Sequence, residues 1–213
     1  MGIAIDERSL IATEPVINEQ LRATINRLGE QTAHIAITSI NAAKTVVAYL
    51  AYRPAHWNIF TIGTATHDFV SSWFGKESIA GVAENATGLA DLILSTDVRA
   101  ICFFCGDQRR DELPEKLAGS RVQVQELVVY HTIYTPVRID EVYDGILFFS
   151  PGAAHSFFSV NSLPSTTILF AIGNTTADSI RACTPNRVVT SERPAAAALV
   201  EKLITYFTYI NIS

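Results

Sequence analysis

Short apolar runs alternate along the chain with longer stretches in which apolar residues recur every three or four positions. The first pattern reads as buried strands and the second as amphipathic helices, and their alternation predicts parallel α/β sheets. Strands are expected at residues 34–39, 57–62, 78–83, 99–105 and 122–130, with helices near 41–51, 64–73, 86–95 and 110–118 between them. A second series places strands near 145–150, 166–172 and 187–191, and helices near 152–160, 175–182 and 194–209. The runs Gly145–Phe149 and Thr167–Ile172 are almost continuously apolar, as strands covered on both faces are. Ahead of the first series, Ile17, Leu21, Ile25 and Leu28 mark one more helix over 17–29.

The two series keep register. Ser39 and Ser150 are 111 residues apart, Gly63 and Gly173 are 110 apart, and so are Leu89 and Leu199. A period this long implies two similar domains rather than a stacked array, and a cleft between domains is where ligands most often sit. The expected limits are residues 16–127 for a middle domain and 1–8 plus 138–213 for a terminal one. Segments 9–15 and 128–136 are rich in β-formers, each closed by a proline (Pro15, Pro136), and are expected to pair as a two-stranded linker. The first series offers five strands and the second three, with Ile3–Ile5 expected as a fourth.

Hydrophobic residues make up 48% of 213, enough for two cores. Net charge is −5, and no Lys/Arg cluster exceeds the pair Arg109–Arg110, which argues against a nucleic-acid partner. No apolar run approaches a membrane span, and the start lacks the basic and apolar regions of an export signal. With three cysteines, this predicts free thiols in a reducing compartment, the cytoplasm. Cys102 and Cys105 form a Cys-x-x-Cys, but they stand three apart in an apolar strand, point to opposite faces and lack a second ligand pair. They are expected to be structural. The five histidines show no metal-ligand spacing, and no metal is expected. A monomer is expected, with a strand-borrowing dimer as the alternative if a sheet edge is open.

Candidate chemistry lies where strands end and helices begin, the edge at which open parallel sheets bind ligands. Five polar turns fall there: Thr38-Ser39-Ile40-Asn41, Gly63-Thr64-Ala65-Thr66, Gly106 with Arg109 and Arg110, Ser150-Pro151-Gly152, and Gly173-Asn174-Thr175-Thr176. Backbone N–H groups at such turns can hold anions. Taken singly, Ser39, Thr64, Ser150 and Asn174 read as ordinary helix caps, and it is five such turns on one edge that point to a polyanion cleft. Asp107, Asp111 and Glu112 bracket the arginines and are expected to tune or solvate them. Tyr130 closes the last strand of the first series and reads either as a cleft-facing phenol or as a strand tyrosine with a wet tip. Dinucleotide, P-loop and nucleophile-elbow motifs are absent from the sequence.

The ordered set Thr38-Ser39, Ile62-Gly63-Thr64-Ala65-Thr66, Gly106-x-x-Arg109-Arg110-x-x-Leu113-Pro114, Val129-Tyr130-x-Thr132, Phe149-Ser150-Pro151 and Ile172-Gly173-x-Thr175-Thr176 resembles the uroporphyrinogen-III synthase family. The resemblance covers nearly the whole chain. It implies two flavodoxin-like parallel-sheet domains joined by a two-stranded β linker. It also implies a cofactor-free lyase of tetrapyrrole (heme) biosynthesis, acting on a linear tetrapyrrole polycarboxylate. Such an enzyme closes hydroxymethylbilane with loss of water and inversion of ring D, through an azafulvene cation and a spiro intermediate. Tyr130 then matches the tyrosine thought to help the hydroxyl leave, while Ser39, Asn41, Gly63, Thr64, Ala65, Thr66, Gly106, Arg109, Arg110, Ser150, Gly173, Asn174, Thr175 and Thr176 match turns that hold carboxylates. Where many members carry arginine, this chain has Asn41. Members begin with a strand and helix ahead of the point matched by residue 1, so residues 2–6 are expected to form the next strand. The rival readings are a non-catalytic two-lobed module that clamps an anionic small molecule, or an inactive relative.

Overall fold

The structure, a computed structural model, describes residues 3–54 and 56–210 apart from the side chains of Thr64, Tyr209 and Ile210. The chain divides into two compact units, Thr13–Thr132 and Met1–Ala12 with Ile133–Ser213. It passes between them within β1 (Ile11–Pro15) and again near the end of β6 (Gln123–Tyr134).

The larger unit holds α1 (Glu19–Gly29), β2 (Ala33–Ile37), α2 (Ile40–Tyr49), β3 (Trp57–Ile62), α3 (Thr64–Phe74), β4 (Ile79–Ala83), α4 (Ala86–Leu94), β5 (Ala100–Gly106), α5 (Glu112–Leu117) and β6. Its sheet has the order β1-β6-β5-β2-β3-β4, with β2 to β6 parallel. Residues alternate between the two faces as the pleat requires. Ile35, Ile37, Ile59, Cys102 and Phe104 pack with α1, α2 and α3, while Ala36, Phe60, Ile101, Phe103 and Cys105 pack with α4 and α5. The chain winds outward from β2 through β3 to β4 with helices on one face, then returns to β5 with helices on the other. Crossovers of one hand place helices that way.

Counted from β2, that order is 3-2-1-4-5, not the 2-1-3-4-5 of a flavodoxin-like sheet. The difference is that β4 adds beside β3 at the rim, so the reversal falls between β2 and β5. The sequence pattern reports which segments are strands but not on which side of its predecessor each one lands. A further difference is that the segments read as 122–130 and 128–136 form one continuous strand, β6. Val16 N–H donates to the Val129 carbonyl (2.9 Å) and Thr135 N–H to the Leu10 carbonyl (3.0 Å), so β1 runs antiparallel along it.

The smaller unit contains β7 (Gly145–Phe148), α6 (Pro151–Phe158), β8 (Ile168–Ala171), α7 (Asn174–Cys183), β9 (Val188–Thr190) and α8 (Ala196–Ile210). Its parallel sheet has the order β7-β8-β9. Phe148, Leu169 and Ala171 pack against α6 and α7, and Phe170 packs against α8 through Leu199 and Leu203. The expected fourth strand at Ile3–Ile5 is not formed, and Gly2 lies outside the described residues. Ile3 and Ile5 remain 46% and 78% exposed, so this short alternation has no buried face to stabilise a strand.

Candidate active site

The reversal of strand order between β2 and β5 is the point at which an open parallel sheet leaves a crevice at its carboxyl edge. Ser39 follows β2 there and Gly106 ends β5. Ser39 is the N-cap of α2, with extended φ/ψ of −135° and 133°, and its hydroxyl accepts from Asn41 N–H at 3.2 Å. The same hydroxyl lies 3.1 Å from Oη of Tyr130.

Tyr130 reaches Ser39 because β6 is irregular. Cys105 pairs with Val128 but Gly106 pairs with Tyr130, so Val129 is an extra residue in the ladder. Leu127, Val129 and Tyr130 therefore all pack against one cluster, the cluster that also holds α2, and strict alternation is broken. The phenol ring lies over Gly106. A Cβ there would stand 2.4 Å from Cζ and 2.7 Å from Oη, so the ring can occupy this place only above a glycine.

Asp107 fastens the same segment. Its N–H donates to the Tyr130 carbonyl at 3.1 Å, its Oδ1 accepts from Thr132 N–H at 2.9 Å, and its Oδ2 is 3.3 Å from Nδ1 of His131. This corrects its reading as a partner of the arginines. Asp111 does pair with Arg109, together with Glu126, and the Glu126 hydrogen bond is the first cause holding the guanidinium above its ordinary range. Arg109 is thus committed within the protein. Arg110, 72% exposed, has Glu112 at 4.0 Å as its ion-pair partner among the described residues.

The other turns sit at helix starts. Gly63 caps α3 with φ 65° and ψ 175°, a left-handed backbone that favours glycine, and no side chain caps that helix. Ala65 is exposed but Thr66 is buried. In the smaller unit Ser150 caps α6 through Ala153 N–H at 3.1 Å, followed by Pro151 at the first helical position. Gly173 caps α7 without a side-chain bond; Asn174 and Thr175 are exposed and Thr176 is buried. Each unit therefore has a serine-capped helix followed by a glycine-capped one. Thr64 and Asn174, read as caps, are instead the first residues of their helices. A turn outside the candidate set lies at the same edge: Asn85 follows β4 and caps α4 through Gly88 N–H at 2.9 Å. Its signal, an Asn between a strand and an apolar helix, was present in the sequence.

The Cys-x-x-Cys is buried, with Cys102 and Cys105 in separate clusters on opposite faces. Burial pushes the Cys102 thiol up to about 12 and that of Cys105 to about 11, so neither is a ready thiolate at neutral pH. Among the described residues no three His, Cys, Asp or Glu side chains gather as a metal site, and no helix is long and apolar enough to cross a membrane.

The larger unit, an open parallel sheet with helices on both faces and Tyr130 at its switch point, is of the doubly wound α/β class. A family model described as uroporphyrinogen-III synthase HemD matches residues 1–201, and the chain belongs to that family. The uroporphyrinogen-III synthase of Saccharomyces cerevisiae is 37% identical over 83 residues, which span 35% of this chain and 30% of the yeast protein. The chain thus matches under a third of the length of that curated relative. The structure of uroporphyrinogen-III synthetase from Helicobacter pylori superposes with a TM-score of 0.67 at 15% identity, covering 92% of this chain and 91% of the other. A mutant uroporphyrinogen III synthase from Thermus thermophilus gives 0.58 at 16% identity, covering 94% and 88%. At such identities the likeness shows the fold.

Proposed function

We propose that this chain is a hydro-lyase that cyclises hydroxymethylbilane to uroporphyrinogen III, with loss of water and inversion of ring D, in heme biosynthesis. The observation that carries the reading is Tyr130, fixed over Gly106 with Oη 3.1 Å from Ser39 at the carboxyl edge of the sheet. A phenol is protonated at neutral pH and can donate a proton to a departing hydroxyl. Loss of water leaves an azafulvene cation, and attack through a spiro intermediate then reverses the last pyrrole. Backbone N–H groups at the starts of α2 and α3 in the larger unit, with Arg110, hold carboxylates of the substrate. Arg109 holds the turn rather than the substrate. β1 and β6 supply the two-stranded linker, over about 9–15 and 128–136, and three free thiols accord with a cytoplasmic setting.

The test is cyclisation of hydroxymethylbilane by the chain, with isomer III separated from the isomer I that forms spontaneously. Tyr130→Phe should slow isomer III formation by about 10²-fold while folding is retained, since positioned acid catalysis is typically worth 10²–10⁴-fold. A Tyr130→Phe protein with parental turnover would remove the phenol from the chemistry. Absence of isomer III from the parent chain would overturn the reading.

A further inference from the structure

Building on that cyclisation, we propose that Ser39 is a positioning residue for Tyr130: its hydroxyl donates to Tyr130 Oη and leaves the phenol proton for the substrate.

A serine hydroxyl has one proton and two lone pairs. One lone pair of Ser39 is engaged by Asn41 N–H at 3.2 Å, which fixes Oγ at the start of α2. The 3.1 Å contact with Tyr130 Oη can run either way. If Tyr130 donates, its only proton is spent inside the protein and the Ser39 proton is idle. If Ser39 donates, the phenol proton is free to point away from Ser39. As that proton leaves, only the second arrangement stabilises the phenolate, through a charge-assisted bond of the stronger kind. The positive end of the α2 dipole favours the same oxygen becoming negative. The ring cannot swing to another partner cheaply, because Gly106 and the core beside α2 confine it.

The step balances. The Tyr130 O–H bond breaks and its proton passes to the substrate hydroxyl. The C–O bond breaks with its electron pair, releasing water, and the phenolate accepts from Ser39. When the new C–C bond closes the ring, the attacked pyrrole carbon loses a proton, and Tyr130 takes one back.

Capping and donation by Ser39 are separable. Aspartate caps a helix as well as serine does, but its carboxylate can only accept, so Ser39→Asp keeps the helix start and captures the Tyr130 proton. The expected result is a thermal midpoint close to the parent and kcat for isomer III lower by about 10²-fold, with KM raised as well because the added carboxylate stands at a helix start that holds substrate carboxylates. Ser39→Thr, which keeps both functions, should recover most of that rate. Ser39→Gly, tolerated at a helix start nearly as well, should lose about tenfold, the worth of one hydrogen bond, and serves if the aspartate variant does not fold. Combined with Tyr130→Phe, Ser39→Asp should add no further loss. A folded Ser39→Asp or Ser39→Gly protein with parental kcat overturns the assignment, as does multiplication of the losses in the double variant. A slow Tyr130→Phe beside a fast Ser39→Asp overturns this assignment alone. A fast Tyr130→Phe removes the acid role beneath it.

Discussion

Gly106 and Tyr130 face each other across β5 and β6, and one methyl added to Gly106 would lie 2.4 Å from Cζ of the phenol. Contacts that short force either the ring or the strand to move. Gly106→Ala is therefore expected to destabilise the protein by about 1–3 kcal/mol, the usual range for overpacking. It should also cut isomer III formation at least as far as Tyr130→Phe does. Urea unfolding and the cyclisation assay on the same preparation would check both.

Asp107 predicts a milder effect on the same tyrosine. Asp107→Ala removes the acceptor of Thr132 N–H and the partner of His131, at a cost of about 1 kcal/mol in stability. Because those bonds hold the segment that carries Tyr130, kcat should fall more than KM rises. Asp107→Asn, which keeps an acceptor, should recover most of the loss. Equal kcat in all three proteins would show that β6 needs no such tether.

The two neighbouring arginines should part company. Arg110→Ala is expected to raise KM for hydroxymethylbilane several-fold and leave kcat and stability nearly untouched, because its side chain is 72% exposed. Arg109→Ala should instead lower stability by about 1 kcal/mol or less, by freeing Glu126 and Asp111. Initial rates across substrate concentration, with denaturation curves, distinguish these outcomes. A KM effect confined to Arg109 would reverse the assignment.

The buried thiols give a pH dependence. Both are raised in the folded protein, chiefly by burial, so their contribution to stability is fully present below the ordinary thiol value of 9.0. It is lost as pH rises through 9 toward about 12 for Cys102 and about 11 for Cys105, because the unfolded chain ionises first. Unfolding free energy should thus be about 1 kcal/mol lower at pH 10 than at pH 7 through Cys102 alone, and Cys102→Ala should flatten that slope. A thiol reagent at neutral pH should label the exposed Cys183 in the native protein and all three cysteines after unfolding.

Much of the fold was legible because strands covered on both faces leave continuous apolar runs, as at Ile35–Ile37, Phe60 and Ile101–Cys105. The pairing of Ser39 with Ser150 and of Gly63 with Gly173 across the repeat was legible for a similar reason: each stands where a strand gives way to a helix. Strand order was not, since it depends on which side of a neighbour a strand lands. The segment Ile3–Ile5 has the right residue types but nothing to bury against. Thr64 and Asn174 are residue types that cap helices, yet each helix is capped one residue earlier, by a glycine. The tether from Asp107 joins residues that are 25 apart in the chain, and no local pattern reports it.

The extra residue at Val129 bears on how such a site is gained or lost over evolutionary time. Because the side chains of a regular strand alternate, no amino-acid replacement at position 130 or its neighbours would carry a tyrosine from one side of the sheet to the other. Insertion of a single codon between Val129 and Tyr130 would do so in one event, turning the phenol away from Ser39, whereas removal of Val129 would leave a regular strand with Tyr130 still opposite Gly106. Among homologues, a one-residue insertion at this place should therefore accompany loss of the tyrosine's role even where the tyrosine is retained. Length, rather than identity, is the character to follow in this strand.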